Sequence, residues 1–500
     1  MAEMLMQGVG AVMNPTCMAL VFAGVAVGII FGAIPGMSAT MAIALFLPIT
    51  YKMAPIPSIC LLIGLYIGGI SGGLISAILL KIPGTPSSIA TTFDGAPMAA
   101  KGEAGKALGV GIVFSFIGGM ISLLALMFIA PAIAKVALKF STFEYFSISV
   151  FSITLIGSLS GDNIWKGLLS GFLGVLLSTV GMAPIDGLPR FTFGTTELSA
   201  GFDILPVLIG LFAVSELFVL AEEKYKNTFV KPIEYKLKGF GFTLKEFWSQ
   251  KWNALRSGVL GTAIGILPGI GGSVSCILAY VLAKKTSKYP EKFGTGIIDG
   301  VVASETSNNA VTGGALIPLL TLGIPGDATT AMLLGALTLH GIAPGPLLFK
   351  TNGDLVYGIF IALLAANVMM LLIEFLGLRV FVKLLNIPKK ILMPVIIVLC
   401  VIGAFGLNNR VFDAVAIVIF GIIGYIMQKF KYPTAPLILG FILGPIIETN
   451  FRRSLMFSNG TAAPFFTNPI SGVFLVLTVV SIVFTVVKTY KDSKAKKDNA

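Results

Sequence analysis

The chain has 500 residues, of which 56% are hydrophobic and only 12% are charged, and its mean hydropathy is +0.94. A soluble globular protein carries about 25% charged residues, so this composition excludes an ordinary soluble fold. The formal net charge of +12 points to contact with anionic lipid headgroups rather than nucleic acid, because the basic residues lie in loops beside apolar segments.

Uncharged apolar stretches recur along the chain, and stretches longer than about 18 residues are typical of membrane spans. Apart from neutral cysteine and tyrosine, they cover residues 4–51, 53–80, 107–134, 391–409 and 470–487. The sequence therefore predicts an all-α polytopic membrane protein, with about 11 or 12 membrane segments.

Basic residues concentrate in two places. Eight lie between Lys224 and Arg256, and five more lie between Lys488 and Lys497. Because lysine and arginine accumulate in cytoplasmic loops, we predict that a central loop and the C-terminal tail face the cytoplasm.

The first half of the chain recurs in the second half. Pro35-Gly36 returns as Pro268-Gly269 at an offset of 233 (268 − 35), and Pro83-Gly84 returns as Pro325-Gly326 at an offset of 242 (325 − 83). Three more motifs recur in the same order: Ser71-Gly72-Gly73 as Thr312-Gly313-Gly314, Gly171-x-x-Gly174 as Gly421-x-x-Gly424, and Pro206-x-x-x-Gly210 as Pro436-x-x-x-Gly440. The last offset falls to 230 (436 − 206), which indicates an insertion around Asp186–Asp203.

These matches predict the domain organisation. We expect a first transmembrane repeat at 1–222, a charged cytoplasmic loop at 223–253, a second transmembrane repeat at 254–451, and a terminal segment at 452–500 with an extra helix over 470–487. The first twenty residues contain no lysine or arginine and the loop after the first repeat is basic, which predicts an odd number of crossings and an inverted repeat. A parallel repeat stays open, because Arg452 and Arg453 would otherwise lie on the outer side.

Four Pro-Gly pairs interrupt apolar runs at matched places. Proline removes a backbone donor and glycine permits a sharp turn, so we predict helix breaks at Pro35, Gly36, Pro268 and Gly269, and again at the two later pairs. Hydroxyl residues follow each break, and a restarting helix offers free N–H groups that suit a carboxylate. The alternative is a simple kink with a capping residue. The predicted substrate-binding residues are Ser71, Gly72, Gly73, Pro83, Gly84, Thr85, Ser87, Ser88, Thr312, Gly313, Gly314, Pro325, Gly326, Asp327 and Thr329.

A polar cluster at 304–309 offers several neutral oxygens and one carboxylate. Hard cations take oxygen ligands, so we predict cation-coupling residues at Glu305, Asn308, Asn309 and Asp327, with sodium as the candidate ion. The same set suits an organic acid as well, and the choice between sodium and proton coupling stays open. The alternatives are an interfacial loop with a helix cap for the cluster and an N-cap role for Asp327. Two other charged residues have structural interpretations as well: Lys81 either pairs with substrate or reaches the interface, and Asp94 is expected in a turn.

Enzymatic functions are disfavoured. His340 is the only histidine, and the chain has no P-loop sequence. The four cysteines lack metal-binding spacing. We therefore predict no catalytic residues, no cofactor and no metal other than sodium.

The same motifs resemble the large membrane subunit of the tripartite tricarboxylate transporter family. The resemblance is carried by residues 68–73, 81–88, 93–98, 265–272, 321–330 and 341–346, and it extends over residues 10–485. It implies a bacterial inner-membrane uptake system for citrate or related carboxylates, driven by an ion gradient. It also implies two partners, a periplasmic solute-binding protein and a small membrane subunit.

Two other functions stay open from the sequence. A passive carboxylate channel would need no coupling ion, and a membrane scaffold would use its glycines for helix packing alone. Under the transporter hypothesis, the hairpins around Pro83 and Pro325 form opposed tips around one carboxylate site, and one part of the repeat pair moves against the rest.

Overall fold

The structure is a computed structural model that describes residues 2–159, 164–222, 241–384, 389–408 and 410–498. Helices make up nearly all of the regular structure in these ranges. In lipid a spanning segment must satisfy its own backbone hydrogen bonds, and the apolar runs do so as helices. The predicted all-α membrane fold is confirmed.

The first half of the chain forms twelve of the helices described. They are α1 (Ala2–Val12), α2 (Pro15–Ala33), α3 (Ala39–Thr50), α4 (Pro55–Ser71), α5 (Gly73–Leu79), α6 (Thr91–Met98), α7 (Ala104–Ala137), α8 (Thr142–Leu159), α9 (Ile164–Ser178), α10 (Thr196–Ser199), α11 (Ile204–Ile209) and α12 (Ser215–Glu222). A 3₁₀ turn at Pro86–Ser88 precedes α6, and π-helical turns at Ala99–Glu103 and Gly210–Val214 join neighbouring helices. Two short antiparallel strands, β1 (Gly181–Met182) and β2 (Pro189–Arg190), follow α9.

The second half continues the same pattern. Its helices are α13 (Leu244–Ser249), α14 (Lys251–Ile266), α15 (Gly271–Thr286), α16 (Ile298–Leu322), α17 (Ala328–Leu339), α18 (Leu348–Thr351), α19 (Gly353–Leu384), α20 (Lys389–Asn408), α21 (Val411–Lys429), α22 (Thr434–Phe457), α23 (Ala463–Thr467) and α24 (Pro469–Asp498), with a 3₁₀ turn at Pro290–Lys292.

Seven helical segments in the described part of the chain are long and apolar enough to cross a membrane. They are Pro15–Ala33, Pro55–Leu79, Thr91–Ala137, Ile204–Glu222, Gly353–Phe381, Val411–Lys429 and Thr434–Phe457. Four shorter apolar helices are Ala39–Thr50, Trp165–Ser178, Ala328–Leu339 and Pro469–Val483. The multi-pass assignment is confirmed, and the predicted count of crossings stays a prediction.

The chain forms two compact units. The first contains Met1–Ala134 and Glu216–Gly403, and the second contains Lys135–Ser215 and Ala404–Ala500. Each unit thus combines segments from both predicted repeats. All the predicted substrate-binding, cation-coupling and helix-break residues belong to the first unit.

In the first unit, α2 and α4 run side by side in the same direction. A Cβ placed on Gly28 would lie 2.6 Å from the carbonyl oxygen of Leu65, and one on Gly32 would overlap that of Gly69. Both contacts advance by four residues, so the helices are parallel. The intervening α3 therefore returns toward the start of α2, and α2 and α3 form a helical hairpin; its predicted re-entrant topology stays a prediction.

The pair α14 and α16 repeats this contact. A Cβ on Gly261 would overlap the carbonyl oxygen of Ser307, and one on Gly265 would lie 2.7 Å from that of Val311. These pairs are displaced from the first ones by 233 (261 − 28) and 242 (307 − 65), the offsets of the sequence motifs. Two copies of one unit would make such contacts, which supports the predicted duplication; the duplication itself stays a prediction.

Helices α4 and α16 run in opposite directions. The side-chain amide of Asn308 donates to the carbonyl oxygen of Ile70 (3.4 Å). One turn earlier in α4, Tyr66 donates to Asp327 (3.0 Å), which lies beyond the end of α16. An inverted repeat requires this antiparallel arrangement, and the inverted topology also stays a prediction.

In the second unit, each glycine motif of the first half packs against the motif of the second half that is not its sequence counterpart. A Cβ on Gly440 of α22 would overlap the carbonyl oxygen of Gly171 on α9, and one on Gly210 would lie 3.1 Å from the backbone nitrogen of Gly421 on α21. Each motif of the first half thus contacts a motif of the second half.

The predicted insertion around Asp186–Asp203 contains β2 and α10. Arg190 donates two hydrogen bonds to Glu448 (2.7 and 3.0 Å), and Arg452 donates to Asp186 (2.8 Å) and Glu448 (3.1 Å). The hydrogen bond from Arg452 lowers the pKa of Asp186. Of the two arginines that stand against the predicted topology, Arg452 is therefore paired with carboxylates.

The first prediction concerns the glycine at the break after α5. A Cβ on Gly84 would overlap the carbonyl oxygen of Gly32 and lie 2.9 Å from Cα of Gly73, so Gly84→Ala forces backbone atoms apart. We expect a cost of about 1–3 kcal/mol and a lower melting temperature of the purified protein. Gly10→Ala is the matched control, because its Cβ would meet nothing within 4 Å. Equal melting temperatures for the two variants would contradict this packing.

The second prediction concerns pH and the ion pair between Glu246 and Lys106. The Lys106 ammonium donates to Glu246 (2.5 Å), and the backbone N–H of Thr243 donates to its other oxygen (2.8 Å). Together they lower the pKa of Glu246 to about 2 from its usual 4.5. A lowered pKa stabilises the fold above the unfolded-state pKa, and the contribution is lost as the pH falls toward the folded-state value.

We therefore expect Glu246→Gln to have a lower melting temperature than wild type at neutral pH. The difference between the two melting temperatures should narrow as the pH falls from about 6 to about 3. Melting curves across that range measure it. A gap that is constant with pH would show that the charge of Glu246 does not contribute. Glu291→Gln, at an exposed glutamate, is the control.

Candidate functional site

Helices end at all four Pro-Gly pairs. The residue before the first pair, Ile34, has extended backbone, and Gly36 has φ of 87°. Leu267 and Gly269 repeat this geometry, with Gly269 at φ 79°. The later pairs stand between α5 and the 3₁₀ turn, and between α16 and α17. Each break therefore frees backbone groups within the first unit.

Each later break packs on the helix that follows the earlier break of the other half. The hydroxyl of Thr329, after Pro325-Gly326, lies 2.8 Å from that of Thr40 on α3. Ser87 lies against α15, because a Cβ on Gly272 would be 2.9 Å from Cβ of Ser87. The motif offsets relate the two contacts to within one residue, since residue 87 corresponds to 329 and residue 40 to 273, the neighbour of Gly272. The two breaks are thus held in matched, crossed positions.

The hydroxyl groups after Pro83-Gly84 form a compact buried cluster. Thr85 and Ser88 form a capping box, and the Thr85 hydroxyl lies 3.0 Å from that of Ser87. A Cβ on Gly73 would be 2.6 Å from the Thr85 oxygen. The structure therefore brings Gly73 and these three hydroxyl residues together. Thr85 and Ser88 cap the turn, as the structural alternative requires, and the Ser87 hydroxyl has a bond only to the neighbouring Thr85 among the hydrogen bonds described.

Asp327 caps α17 and also reaches across to α4. One carboxylate oxygen accepts hydrogen bonds from the backbone and hydroxyl of Thr330 (2.7 and 2.8 Å), and the other accepts from the Tyr66 hydroxyl (3.0 Å). The N-cap role is therefore present. The bond to Tyr66 goes beyond a cap, because it fixes the charge between two helices.

The cluster at 304–309 is not a loop. It lies inside α16, and its side chains are buried. The interpretation as an interfacial loop with a helix cap is therefore wrong. Glu305 accepts hydrogen bonds from the Thr91 and Ser115 hydroxyls, the latter at 3.0 Å. In the described part of the chain the side-chain oxygens of Asn308 and Asn309 have no hydrogen-bond partner.

The remaining glycines of the predicted site are covered by neighbouring helices. A Cβ on Gly72 would overlap the backbone of Ile29, and a Cβ on Gly314 would overlap that of Thr262. Gly313 packs on Ser122 of α7 in the same way. These positions set helix contacts, and Thr312 bonds back to its own helix.

Two charged residues are placed differently from their first interpretations. Asp94 lies within α6, so the predicted turn is wrong. Its carboxylate accepts hydrogen bonds from the backbone N–H groups of Gly294 (2.9 Å), Gly296 (2.8 Å) and Ile297 (3.1 Å) and from the Tyr280 hydroxyl (2.8 Å). It therefore fixes α6 to the segment that enters α16.

Lys81 lies at the surface rather than among the buried polar residues. Its φ is 56°, and Gly323, the residue 242 positions later, has φ of 73°. Lys81 thus occupies a helix-ending position that favours glycine, and its side chain is exposed. This supports the interfacial interpretation.

Several buried polar side chains beside the site were not singled out from the sequence. They are Tyr66, Thr91, Ser115, Asn367 and Glu374. Glu374 is an isolated carboxyl in a long apolar run, and such groups at membrane depth are usually functional. That rule alone identifies Glu374 from the sequence, whereas the hydroxyl side chains can be assigned to the site only from the fold.

A cavity of about 530 Å³ lies elsewhere in the first unit. Its lining includes Asn14, Pro55, Asn352 and Asp354, at the starts of α2, α4 and α19. None of the predicted site residues lines it. The buried polar cluster, not this cavity, is the candidate site.

The arrangement has two chemical capacities. Hydroxyl groups and helix N-termini at the crossed breaks can donate hydrogen bonds to a carboxylate. Carboxylate and unpaired amide oxygens on and near α16 can coordinate a cation. Among the described residues no cluster of three or more His, Cys, Asp or Glu side chains could hold a tightly bound metal.

Comparison with known proteins agrees with the resemblance. Residues 18–439 match the model of the tripartite tricarboxylate transporter TctA family. The chain is 36% identical over 490 residues to an uncharacterized 52.8 kDa protein in the TAR-I ttuC′ 3′ region of Agrobacterium vitis, covering 98% of this chain and 97% of that protein. It is 37% identical over 234 residues to an uncharacterized protein in the TAR-II ttuC′ 3′ region of the same organism, covering 47% of this chain and 97% of that protein.

No solved structure shows a significant match. The family match covers most of the chain, and the fold is the multi-pass helical one that a membrane transporter requires. The chain belongs to the tripartite tricarboxylate transporter TctA family.

Proposed function

We propose that the chain is the permease subunit of a binding-protein-dependent secondary transporter, which takes up tricarboxylates or related organic carboxylates and is driven by a cation gradient. The crossed packing of the two later breaks carries this proposal. Broken helices from two repeats meeting in one buried region are the usual construction of substrate sites in secondary transporters.

The substrate contacts are proposed at the crossed breaks. Ser87 and Thr329 are 7% and 5% exposed and come from opposite halves of the chain. Each lies just after a Pro-Gly pair, where restarting backbone leaves N–H groups available. A carboxylate there would accept hydrogen bonds from both hydroxyls, so its position would depend on both repeats.

The cation contacts are proposed on α16 and at the start of α17. Asn308 and Asn309 have buried amide oxygens without a partner, and such oxygens are costly unless a donor or a cation satisfies them. Glu305 and Asp327 supply negative charge nearby in the sequence. Sodium fits this set of oxygens, and its charge would offset that of the substrate.

The partners follow from the family. The family is that of a tripartite transporter, so other subunits act with this chain. We propose that they are a periplasmic solute-binding protein, which delivers the carboxylate, and a small membrane subunit. The site of action is then the bacterial inner membrane.

Reconstituted uptake tests the proposal. The chain and its small partner subunit are placed in liposomes, and uptake of labelled citrate and other carboxylates is measured with and without a sodium gradient and the binding protein. Accumulation above equilibrium that needs both supports a coupled, capture-dependent transporter. Equilibration that needs neither would indicate a facilitator, and absence of flux for every acid would contradict the proposal.

The third prediction concerns the two carboxylates. Glu305→Gln and Asp327→Asn keep the side-chain shape and remove the charge, so we expect sodium-stimulated uptake to fall roughly ten- to a hundredfold, the worth of a charged hydrogen-bonded contact. The amount of protein in the membrane should not change. Glu291→Gln, an exposed surface glutamate, is the matched control. Unchanged sodium dependence in both site variants would refute the assignment.

A further inference from the structure

A second buried carboxyl lies next to the candidate site but outside the residues assigned above. Glu374 is on α19, and none of its surface is exposed. One of its oxygens accepts a hydrogen bond from Ser71 of α4 (2.9 Å). Glu374 therefore contacts a residue of the first repeat's Ser-Gly-Gly motif.

The other oxygen of Glu374 has no hydrogen-bond partner in the described part of the chain. One turn away on either side, the same face of α19 carries Met370 and Leu378, which are fully buried. An ionised carboxylate with one donor in such surroundings is costly, and the usual outcome is that the group holds a proton.

Glu305 is as fully buried as Glu374 but has more hydrogen-bond donors. Both of its oxygens accept hydrogen bonds from hydroxyl groups, those of Thr91 and Ser115. Hydrogen bonds to the charged form stabilise a carboxylate. Each oxygen of Glu305 thus has a hydroxyl donor, whereas one oxygen of Glu374 has none among the described residues.

The two carboxyls lie beside residues three positions apart at the junction of α4 and α5. Glu374 contacts Ser71, and three residues later Leu74 lies beside Glu305, because a Cβ on Gly111 would be 3.5 Å from Leu74 and 3.8 Å from Cγ of Glu305. When two carboxyl groups lie close together, a charge on one disfavours a charge on the other.

No other charge is described near Glu374. The helices packed against α19, together with α7 and α16, carry the following titratable or charged side chains in the described ranges: Glu3, Cys17, Cys60, Tyr66, Lys106, Lys135, Asp299, Glu305 and Lys350, with Asp354, Tyr357, Arg379 and Lys383 on α19 itself. Cys17 and Cys60 lie near Leu355 at the start of α19, and Tyr66 donates to Asp327.

We propose that Glu374 is a proton-binding site of the transporter and that it exchanges one proton in each transport cycle. The neutral acid loses its proton to one solution and leaves a carboxylate, which takes a proton back from the other solution. No electrons are transferred. The exchange of a proton in each cycle rests on the proposed transport function. The presence of a proton on Glu374 in the resting protein does not.

Infrared spectroscopy of the full chain in lipid tests the resting proton. A buried carboxylic acid gives a carbonyl band distinct from that of a carboxylate and shifts in D₂O. We expect this band in wild type and in Glu305→Gln, and its loss in Glu374→Gln. A band that survives in Glu374→Gln, or its absence from wild type, would overturn the proposal.

A second variant keeps the test decisive if Glu374→Gln does not fold. Ser71→Ala removes the hydroxyl that donates to Glu374, so we expect the acid band to shift in frequency but to remain. An unshifted band would show that the proton is on another group.

Transport then tests the cycle separately. In proteoliposomes with the partner subunits, an inward proton gradient should increase carboxylate accumulation by wild type. Glu374→Gln should lose this increase but keep exchange of labelled for unlabelled substrate. An increase that survives in Glu374→Gln would refute the coupling role. Absence of carboxylate transport by wild type would instead refute the proposed function, and the infrared result would still decide the proton site.

Discussion

The first unit depends on hydrogen-bond partners for the backbone groups that the helix breaks leave free at membrane depth. Water is absent there, so every N–H and carbonyl group freed by a Pro-Gly pair needs a partner inside the protein. Ser38 accepts a hydrogen bond from the N–H of Met41 at the start of α3 (3.2 Å). The backbone N–H of Gly269 donates to the carbonyl oxygen of Gly326 (2.7 Å), which joins the two breaks of the second half directly. These bonds make the breaks stable features rather than defects.

Close helix packing follows from the same constraint. The breaks can reach their partners only if α2 and α4, and likewise α14 and α16, approach to backbone contact. Glycines at matched positions permit this approach, as at Gly326, where a Cβ would lie 2.5 Å from the carbonyl oxygen of Gly265. The glycine content is therefore a geometric requirement of the crossed breaks, and it places hydroxyl groups of both halves in one buried region.

Local chemistry allowed most of the architecture to be predicted. A Pro-Gly pair in an apolar run has one strong local consequence, so the breaks could be placed from the sequence. Tertiary placement could not. The cluster around Glu305 was open to interpretation as a loop, because a run of polar residues without apolar periodicity is typical of loops. In the structure the cluster is helical, and hydroxyl groups from α6 and α7 donate to its buried carboxylate. Ser87 and Thr329 were identified as site residues, but their packing on the opposite half depends on contacts over more than 180 residues. Glu374 was missed because one carboxyl hardly changes the hydropathy of α19.

Substrate protection of one position from each half tests the central claim most directly. In a variant whose four native cysteines are replaced, Ser87→Cys and Thr329→Cys are labelled separately with a thiol reagent, with and without saturating citrate or another transported carboxylate. The exposed Thr461→Cys serves as control. The account predicts that the carboxylate slows labelling at both site positions and leaves the control unchanged. Protection at neither position, or at only one, would contradict a single site shared by the two halves.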